Sequence, residues 1–426
     1  MIRASAPTEV FILKNKKFKG YDFVEGGVCA AKGFKAGGIH AGLKPGSNPD
    51  KNDLAMIVSV KPCTAAAMYT TNKVQGAPII VTKKHLRDGM AQAVIVNSVN
   101  ANTCNADGEE KAKQMCEFAA KALDLKPEDI IVASTGVIGQ PLPIEPIEQA
   151  VPALAQSLSE TGNAAAVNAI MTTDTQPKEV AVEFTAGGKT CRLGGMLKGS
   201  GMIHPNMATT LTFLTTDCAI DHDLLVQALR EVVFITLNRV SVDGDTSTND
   251  MVCILANGES GNEKIVAEEA DYENFKDALY AVLMNLARKM ARDGEGATKL
   301  IECLCDGAED DKTAEIVAKS VITSSLFKAA IFGEDANWGR ILCAVGYAPA
   351  EFNIKKVNVS LGSAKGTIAV CENGAGVPFS EEEAKVILGE EEIFVHVTIG
   401  KGPGNAVAWG CDLTYDYVRI NGDYRS

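Results

Sequence analysis

Residues 198–217, KGSGMIHPNMATTLTFLTTD, pass from a glycine-rich turn with one proline and one asparagine straight into an alternating apolar and threonine-rich stretch. The alternation predicts a strand, because β-branched residues suit a pleated, half-buried surface. Ala208-Thr209 falls immediately before that strand. A small residue followed by threonine at a tight turn is what a self-cleaving precursor needs. The Thr209 hydroxyl can attack the preceding carbonyl and leave Thr209 as a new N-terminus. Its own α-amine, with an ordinary pKa of about 7.7–8.0, can then take the hydroxyl proton near neutral pH. Plain strand chemistry accounts for the same Thr-Thr pair, so both readings stand at this level.

The 426 residues give room for two or three domains and a large core. With 41 basic and 54 acidic side chains the net charge is −13, which argues against a nucleic-acid or anionic-membrane partner, since either needs a basic footprint. The first residues, MIRASAPTEVFILKNKKFKG, hold no apolar run of the signal-peptide kind, and no window is apolar enough for a membrane span. A cytoplasmic protein is expected. The 12 cysteines are scattered, only Cys303 and Cys305 lie close together, and the five histidines show no zinc spacing. They read as buried thiols of a reducing compartment.

Strands and helices alternate along the chain. The runs LAMIVSV, QAVIVNS and EDIIVAS are short, apolar and bounded by turn residues, and predict buried strands. Helical spacing appears in EEKAKQMCEFAAKALDL, DLLVQALREVVFITLNRV, YENFKDALYAVLMNLARKMARDG and, as one further helix, KTAEIVAKSVITSSLFKAAIF. Towards the end, VNVSL, GTIAVC, IFVHVTIG and AVAWGCDLTYDYVRI read as strands around a short helix, SEEEAKVIL. Proline and glycine near residues 43–50 and 139–147 predict surface loops. The fold class is therefore α/β or α+β with more than one layer.

The segment KGSGMIHPNMATTL resembles the cleavage segment of the ornithine acetyltransferases, the bifunctional arginine-biosynthesis enzymes called ArgJ. Other stretches resemble that family in the same order: GFKAGGIHAGLK, AAAMYTTNKVQGAP, ASTGVIGQPLP, MTTDTQPK, DGDTSTND, RDGEGATK, GEDANWGR and YVRINGDY. The resemblance implies a layered α/β core with sheets between helices and a smaller C-terminal α/β unit at about residues 310–426. It also implies cleavage into fragments 1–208 and 209–426 that stay in one folded unit, with two copies of each in the assembly.

The site residues follow from the matched motifs. In ASTGVIGQ a strand ends at Thr135-Gly136, where backbone and hydroxyl donors can hold a developing oxyanion. A strand-ending turn explains the same pair, and the family resemblance implies the oxyanion role. By the same resemblance Thr175 of MTTDTQPK binds substrate, and Lys198 holds a substrate carboxylate. Glu295, between two glycines in RDGEGATK, faces a substrate ammonium. Asn421 and Ser426 close the site from the C-terminus, with Ser426 standing where the family often has threonine. DGDTSTND lacks the ending of a phosphate-binding loop. Thr246, Asn249, Asn337 and Arg340 are expected to support the site from outside it. NSVNANTCNADG departs from the glycine-containing version of the family, which leaves that loop without a role.

The implied reaction is ping-pong transfer of the acetyl group of N-acetylornithine to Thr209 and then to glutamate, with no metal or prosthetic group. Acetyl-CoA is the second conceivable donor, and the acidic chain with no phosphate loop predicts weak use of it. An N-terminal-nucleophile amidohydrolase or aminopeptidase of related architecture is the alternative. A non-catalytic binding protein would have lost Thr209, Lys198 or Glu295, and all three are present.

Overall fold

The computed structural model describes residues 21–44, 46, 48–204 and 210–422. Ala208, Thr209 and Ser426 lie outside the described residues. Among those described, the strands form one nine-stranded and one seven-stranded sheet. The larger sheet runs in the order Asp22–Val24, Lys178–Ala186, Lys189–Lys198, Leu211–Thr216, Met251–Ala256, Leu54–Tyr69, Met90–Asn97 and Ile130–Ser134, with Phe34–Ile39 added against Leu54–Tyr69. The smaller follows Ala375–Gly376, Gly366–Glu372, Asn358–Ser363, Glu392–Thr398, Leu300–Ala308, Gly404–Cys411 and Val240–Ser241. This is the mixed, layered α/β architecture expected.

Alternation within single strands explains the layers. In Leu211–Thr216, Leu214 packs into a core shared with the helices His222–Ile235 and Ala270–Arg292, while Leu211 and Phe213 pack on the other face with Val167 and Ile170 of the helix Asn163–Ile170. A third core lies between Met90–Asn97, Ile130–Ser134 and the helices Gly108–Leu123 and Ile144–Ser157. The hairpin Lys178–Lys198 turns on Gly187 and Gly188, both at positive φ, which suits the tight two-residue loop between Ala186 and Lys189. Lys189–Lys198 and Leu211–Thr216 pair antiparallel, so the chain on either side of residues 208/209 belongs to one sheet.

The smaller sheet packs its own core against the helices Asp311–Thr323, Ser325–Phe332, Trp338–Gly346 and Glu381–Leu388. It begins at Leu300, earlier than the boundary expected near residue 310, and borrows Val240–Ser241 from the preceding chain. Buried Arg288 of the long helix ties the units together through Glu302 (3.3 Å) and Glu392 (2.7 Å).

Two expectations need correction. KTAEIVAKSVITSSLFKAAIF is two helices, because Ser324 takes an extended backbone and its hydroxyl accepts from the Phe327 N–H, starting a new helix. The stretch from Ala406 to Ile420 is a strand only as far as Cys411; Tyr415–Gly422 is helical. All twelve cysteines are unpaired thiols, and all but Cys29, Cys104 and Cys343 are buried. Among the described residues no helix is long and apolar enough to cross a membrane.

Candidate active site

Three adjacent strands end at the same level of the larger sheet. Lys198 pairs with Leu211, and Leu211 pairs with Met251. A narrow pocket, partly open to solvent, lies there; Thr135, Lys198, Gly201, Thr210, Ser247, Asn249 and Asp250 are among its lining residues. Two of the residues singled out from sequence, Thr135 and Lys198, thus share one cavity with Thr210, the residue bonded to Thr209.

The turn after Ile130–Ser134 is built for close approach. Gly136 has φ 129, and a Cβ there would run into the Val99 carbonyl. The Thr135 N–H donates to the Asn97 carbonyl (3.0 Å), so it is spent on the fold. The Thr135 hydroxyl and the Gly136 N–H have no partner among the described residues. The turn is held by NSVNANTCNADG, the loop to which no role was assigned. Asn97 Oδ1 accepts from the Val99 and Asn100 N–H groups, and Asn100 Nδ2 donates to the Gln140 carbonyl (3.0 Å). Asn249 clamps both sides, donating to the Ala101 (2.6 Å) and Ser134 (2.9 Å) carbonyls and accepting from the Thr103 hydroxyl.

The chain leading to residue 204 is held as closely. The Gly199 N–H donates to Asp174 Oδ1 (2.8 Å), the Ser200 hydroxyl meets that of Thr173 (2.7 Å), and the Glu295 N–H donates to the Ser200 carbonyl (2.9 Å). Asp243 then accepts from the Met202 (2.7 Å) and Ile203 (2.9 Å) N–H groups, and the Thr246 hydroxyl donates to the His204 carbonyl. DGDTSTND therefore presents a carboxylate to backbone donors, the reverse of a phosphate-binding loop. Thr246 and Asn249 hold backbone at the edge of the cavity. Asn337 and Arg340 do not: Asn337 caps the helix Trp338–Gly346, and Arg340 donates to the Leu326 carbonyl.

Glu295 is 8% exposed and stands against Gly201, where a Cβ would collide with its carboxyl. Asn421 Nδ2 donates to Glu295 Oε2 (2.8 Å). Thr175 sits beside these residues, but its hydroxyl and N–H both donate to Asp293, two positions before Glu295. The hydroxyl oxygen is left as an acceptor. Beneath them lies a charge cluster that sequence reading missed. Lys178, 1% exposed, bridges Asp174 (2.7 Å) and Asp293 (2.5 Å), joining the Thr175 loop, the Lys198-Gly199 turn and the Glu295 loop. Asp174 lies within MTTDTQPK and Asp293 within RDGEGATK; only the register of the fold brings them together.

Electrostatics follow from burial and these neighbours. Burial works to raise the Asp174 carboxyl, but the Lys178 and Lys198 cations and its hydrogen bonds outweigh it and hold the group well below the carboxylate range. Burial pushes the Lys198 ammonium down; Asp174, Asp250 and Glu295 oppose that shift and Lys178 adds to it. Asp250 is 2% exposed, and burial raises its carboxyl well above the usual range despite the hydroxyls of Ser247 and Thr70 and the Lys198 charge. The cavity thus combines a cation, a hydroxyl and a buried acid, with the Gly136 N–H one residue beyond its lining, a set suited to an anionic or polarised carbonyl ligand.

A family model described as the ArgJ family matches residues 35–426. The arginine biosynthesis bifunctional protein ArgJ 1 of Clostridium acetobutylicum is 50% identical over 394 residues, covering 92% of this chain and 96% of the relative. The ArgJ protein of Bacillus subtilis is 45% identical over 405 residues, 95% of this chain and 97% of the relative. Among solved structures, the ArgJ protein of Bacillus halodurans is 48% identical with a TM-score of 0.47, covering 49% of this chain and 97% of that chain. The ornithine acetyltransferase of Mycobacterium tuberculosis, solved with ornithine, is 34% identical with a TM-score of 0.40, covering 44% of this chain and all of that one. With its family model spanning nearly all of the sequence and relatives at half identity over nine-tenths of it, the chain belongs to the ArgJ family.

Proposed function

We propose that this protein is a self-cleaving acetyltransferase that moves the acetyl group of N-acetylornithine to glutamate in arginine biosynthesis. The observation that carries the reading is the shared cavity of Thr135, Lys198, Gly201 and Thr210 in a chain of the ArgJ family, with Glu295 and Asn421 against its wall.

Cleavage between Ala208 and Thr209 frees the Thr209 amine. The Thr209 hydroxyl, its proton taken by that amine, attacks the acetyl carbonyl of the donor. The Thr135 hydroxyl and Gly136 N–H hold the oxyanion, ornithine leaves, and an acetyl ester remains on Thr209. Glutamate enters the same site and takes the acetyl group by the reverse sequence. Lys198 attracts the carboxylate common to both amino acids. Glu295, oriented by Asn421, takes the ornithine ammonium, and Thr175 offers its hydroxyl oxygen. Ser426 closes the site from the C-terminus. The fragments 1–208 and 209–426 remain associated through the strand pair Lys189–Lys198 and Leu211–Thr216, two copies of each in a cytoplasmic assembly.

Intact-mass measurement, N-terminal sequencing and an acetyl-transfer assay test the proposal together. Two fragments, the second beginning at Thr209, and N-acetylglutamate as product are expected. Thr209→Ala should give one uncut chain. A full-length wild-type mass, or release of acetate in place of acetylglutamate, overturns the reading.

A further inference from the structure

Asp250 has no part in the reaction as described, yet it lines the same cavity as Lys198 and Thr135. Its position is set by register: Met251 pairs with Leu211 in parallel and its N–H donates to the Thr210 carbonyl, while the Asp250 carbonyl accepts from the Thr70 N–H. The side chain is almost wholly buried, and its Oδ2 has no hydrogen-bond partner among the described residues. A buried polar atom left unpaired is costly, and one that faces a cavity is paired when a ligand arrives. The charged groups around the pocket are Lys198, Asp174 and Lys178 behind it, and Glu295 beside Gly201.

We infer that Asp250 is a substrate-binding residue that works in its neutral form, donating a hydrogen bond from its carboxyl to the substrate carboxylate that Lys198 attracts. An ionised Asp250 would neutralise Lys198 and repel that carboxylate. A neutral one leaves the cation free and adds an O–H donor, the stronger kind of hydrogen bond when its acceptor is charged. Burial already favours the neutral acid, and a bound carboxylate favours it further.

The inference rests on the acetyl-transfer reading. Its test compares N-acetylornithine with N-acetyl-1,4-diaminobutane, the same donor without its α-carboxylate. Wild type should prefer the carboxylate donor. Asp250→Ala should lower kcat/KM for acetylornithine by about 10- to 100-fold, with little change for the analogue. Asp250→Asn, whose amide supplies a neutral donor in the same place, should keep most of the preference. If the alanine variant does not fold, Asp250→Leu replaces it. Equal losses for both donors, or an asparagine variant as impaired as alanine, overturn the assignment. So does loss of self-cleavage in Asp250→Asn, which would place the residue in processing. Absence of transfer by wild type sinks the acetyl-transfer reading itself, whereas active wild type with these failures sinks Asp250 alone.

Discussion

Asn421 Nδ2 reaches Glu295 Oε2 at 2.8 Å, so the last described helix is fastened to the acidic loop at the wall of the cavity. The backbone of that helix also lies over Gly296, where a Cβ would strike Asp416 and the Tyr417 N–H. Glu295 is thereby held from two directions, by Asn421 at its carboxyl and by the Ser200 carbonyl at its N–H. Glu295→Gln removes the charge that would meet the ornithine ammonium and keeps the shape. We expect kcat/KM for acetylornithine to fall about 10- to 100-fold while self-cleavage continues. Steady-state kinetics and intact mass check both halves; an unchanged kcat/KM would remove Glu295 from substrate binding.

Gly136 is the position where backbone shape and chemistry meet. Its φ of 129 is open to glycine, and Gly136→Ala would push a methyl group into the Val99 carbonyl. The turn must then move, displacing the Gly136 N–H and taking the Thr135 hydroxyl away from the cavity. Loss of one oxyanion donor costs about 10²–10³ in kcat in other enzymes, and a fall of that order is expected here. Thermal melting of the same variant separates misplacement from unfolding. An unchanged kcat would exclude this turn from the reaction.

Much of this was legible in the sequence where periodicity was strong. The apolar runs at Leu54, Gln92 and Ile130 are strands because both faces of each are covered. The helix Tyr415–Gly422 was misread because none of its residues is buried, so it carries no apolar stripe to reveal a helical period. The strands Lys178–Ala186 and Lys189–Lys198 were missed despite a usable signal, the Gly187-Gly188 pair between alternating runs. Motif resemblance singled out Thr135, Lys198 and Glu295. It could not find Lys178, Asp293 or Asp250, whose significance lies in burial and in partners more than a hundred residues apart for Lys178 and Asp293.

The Lys178 cluster makes stability depend on acid. The Asp174 carboxyl is depressed in the folded protein, so its contribution is present above the unfolded value of about 3.9 and is lost as pH falls through the folded value. Urea midpoints measured downward from pH 7 should therefore drop below about pH 4 in wild type. Asp174→Asn should start lower and show a flatter acid limb. Lys178→Met strands two buried carboxylates and should cost about 3–5 kcal/mol at pH 7. A wild-type midpoint that is flat through this acid range would show that the cluster is not carrying the pH dependence.

The choice of acetyl donor follows from what lines the cavity. Acetyl-CoA brings phosphates, which need cations or clustered N–H donors at the mouth. Lys198 is the one cationic side chain among the described residues lining the cavity. Asp243, with its carboxylate on the Met202 and Ile203 N–H groups, adds negative charge to the approach. N-acetylornithine asks for one cation at its carboxylate and one anion at its ammonium, and in the proposed reaction Lys198 and Glu295 supply them. We expect kcat/KM with acetyl-CoA to be at least about tenfold below that with acetylornithine, a difference of about 1.4 kcal/mol in transition-state binding. The relatives are named bifunctional, which makes the comparison worth measuring with glutamate as the common acceptor. Equal values for the two donors would mean that cations outside this cavity receive the phosphates, and would leave the assignment of Thr209 untouched.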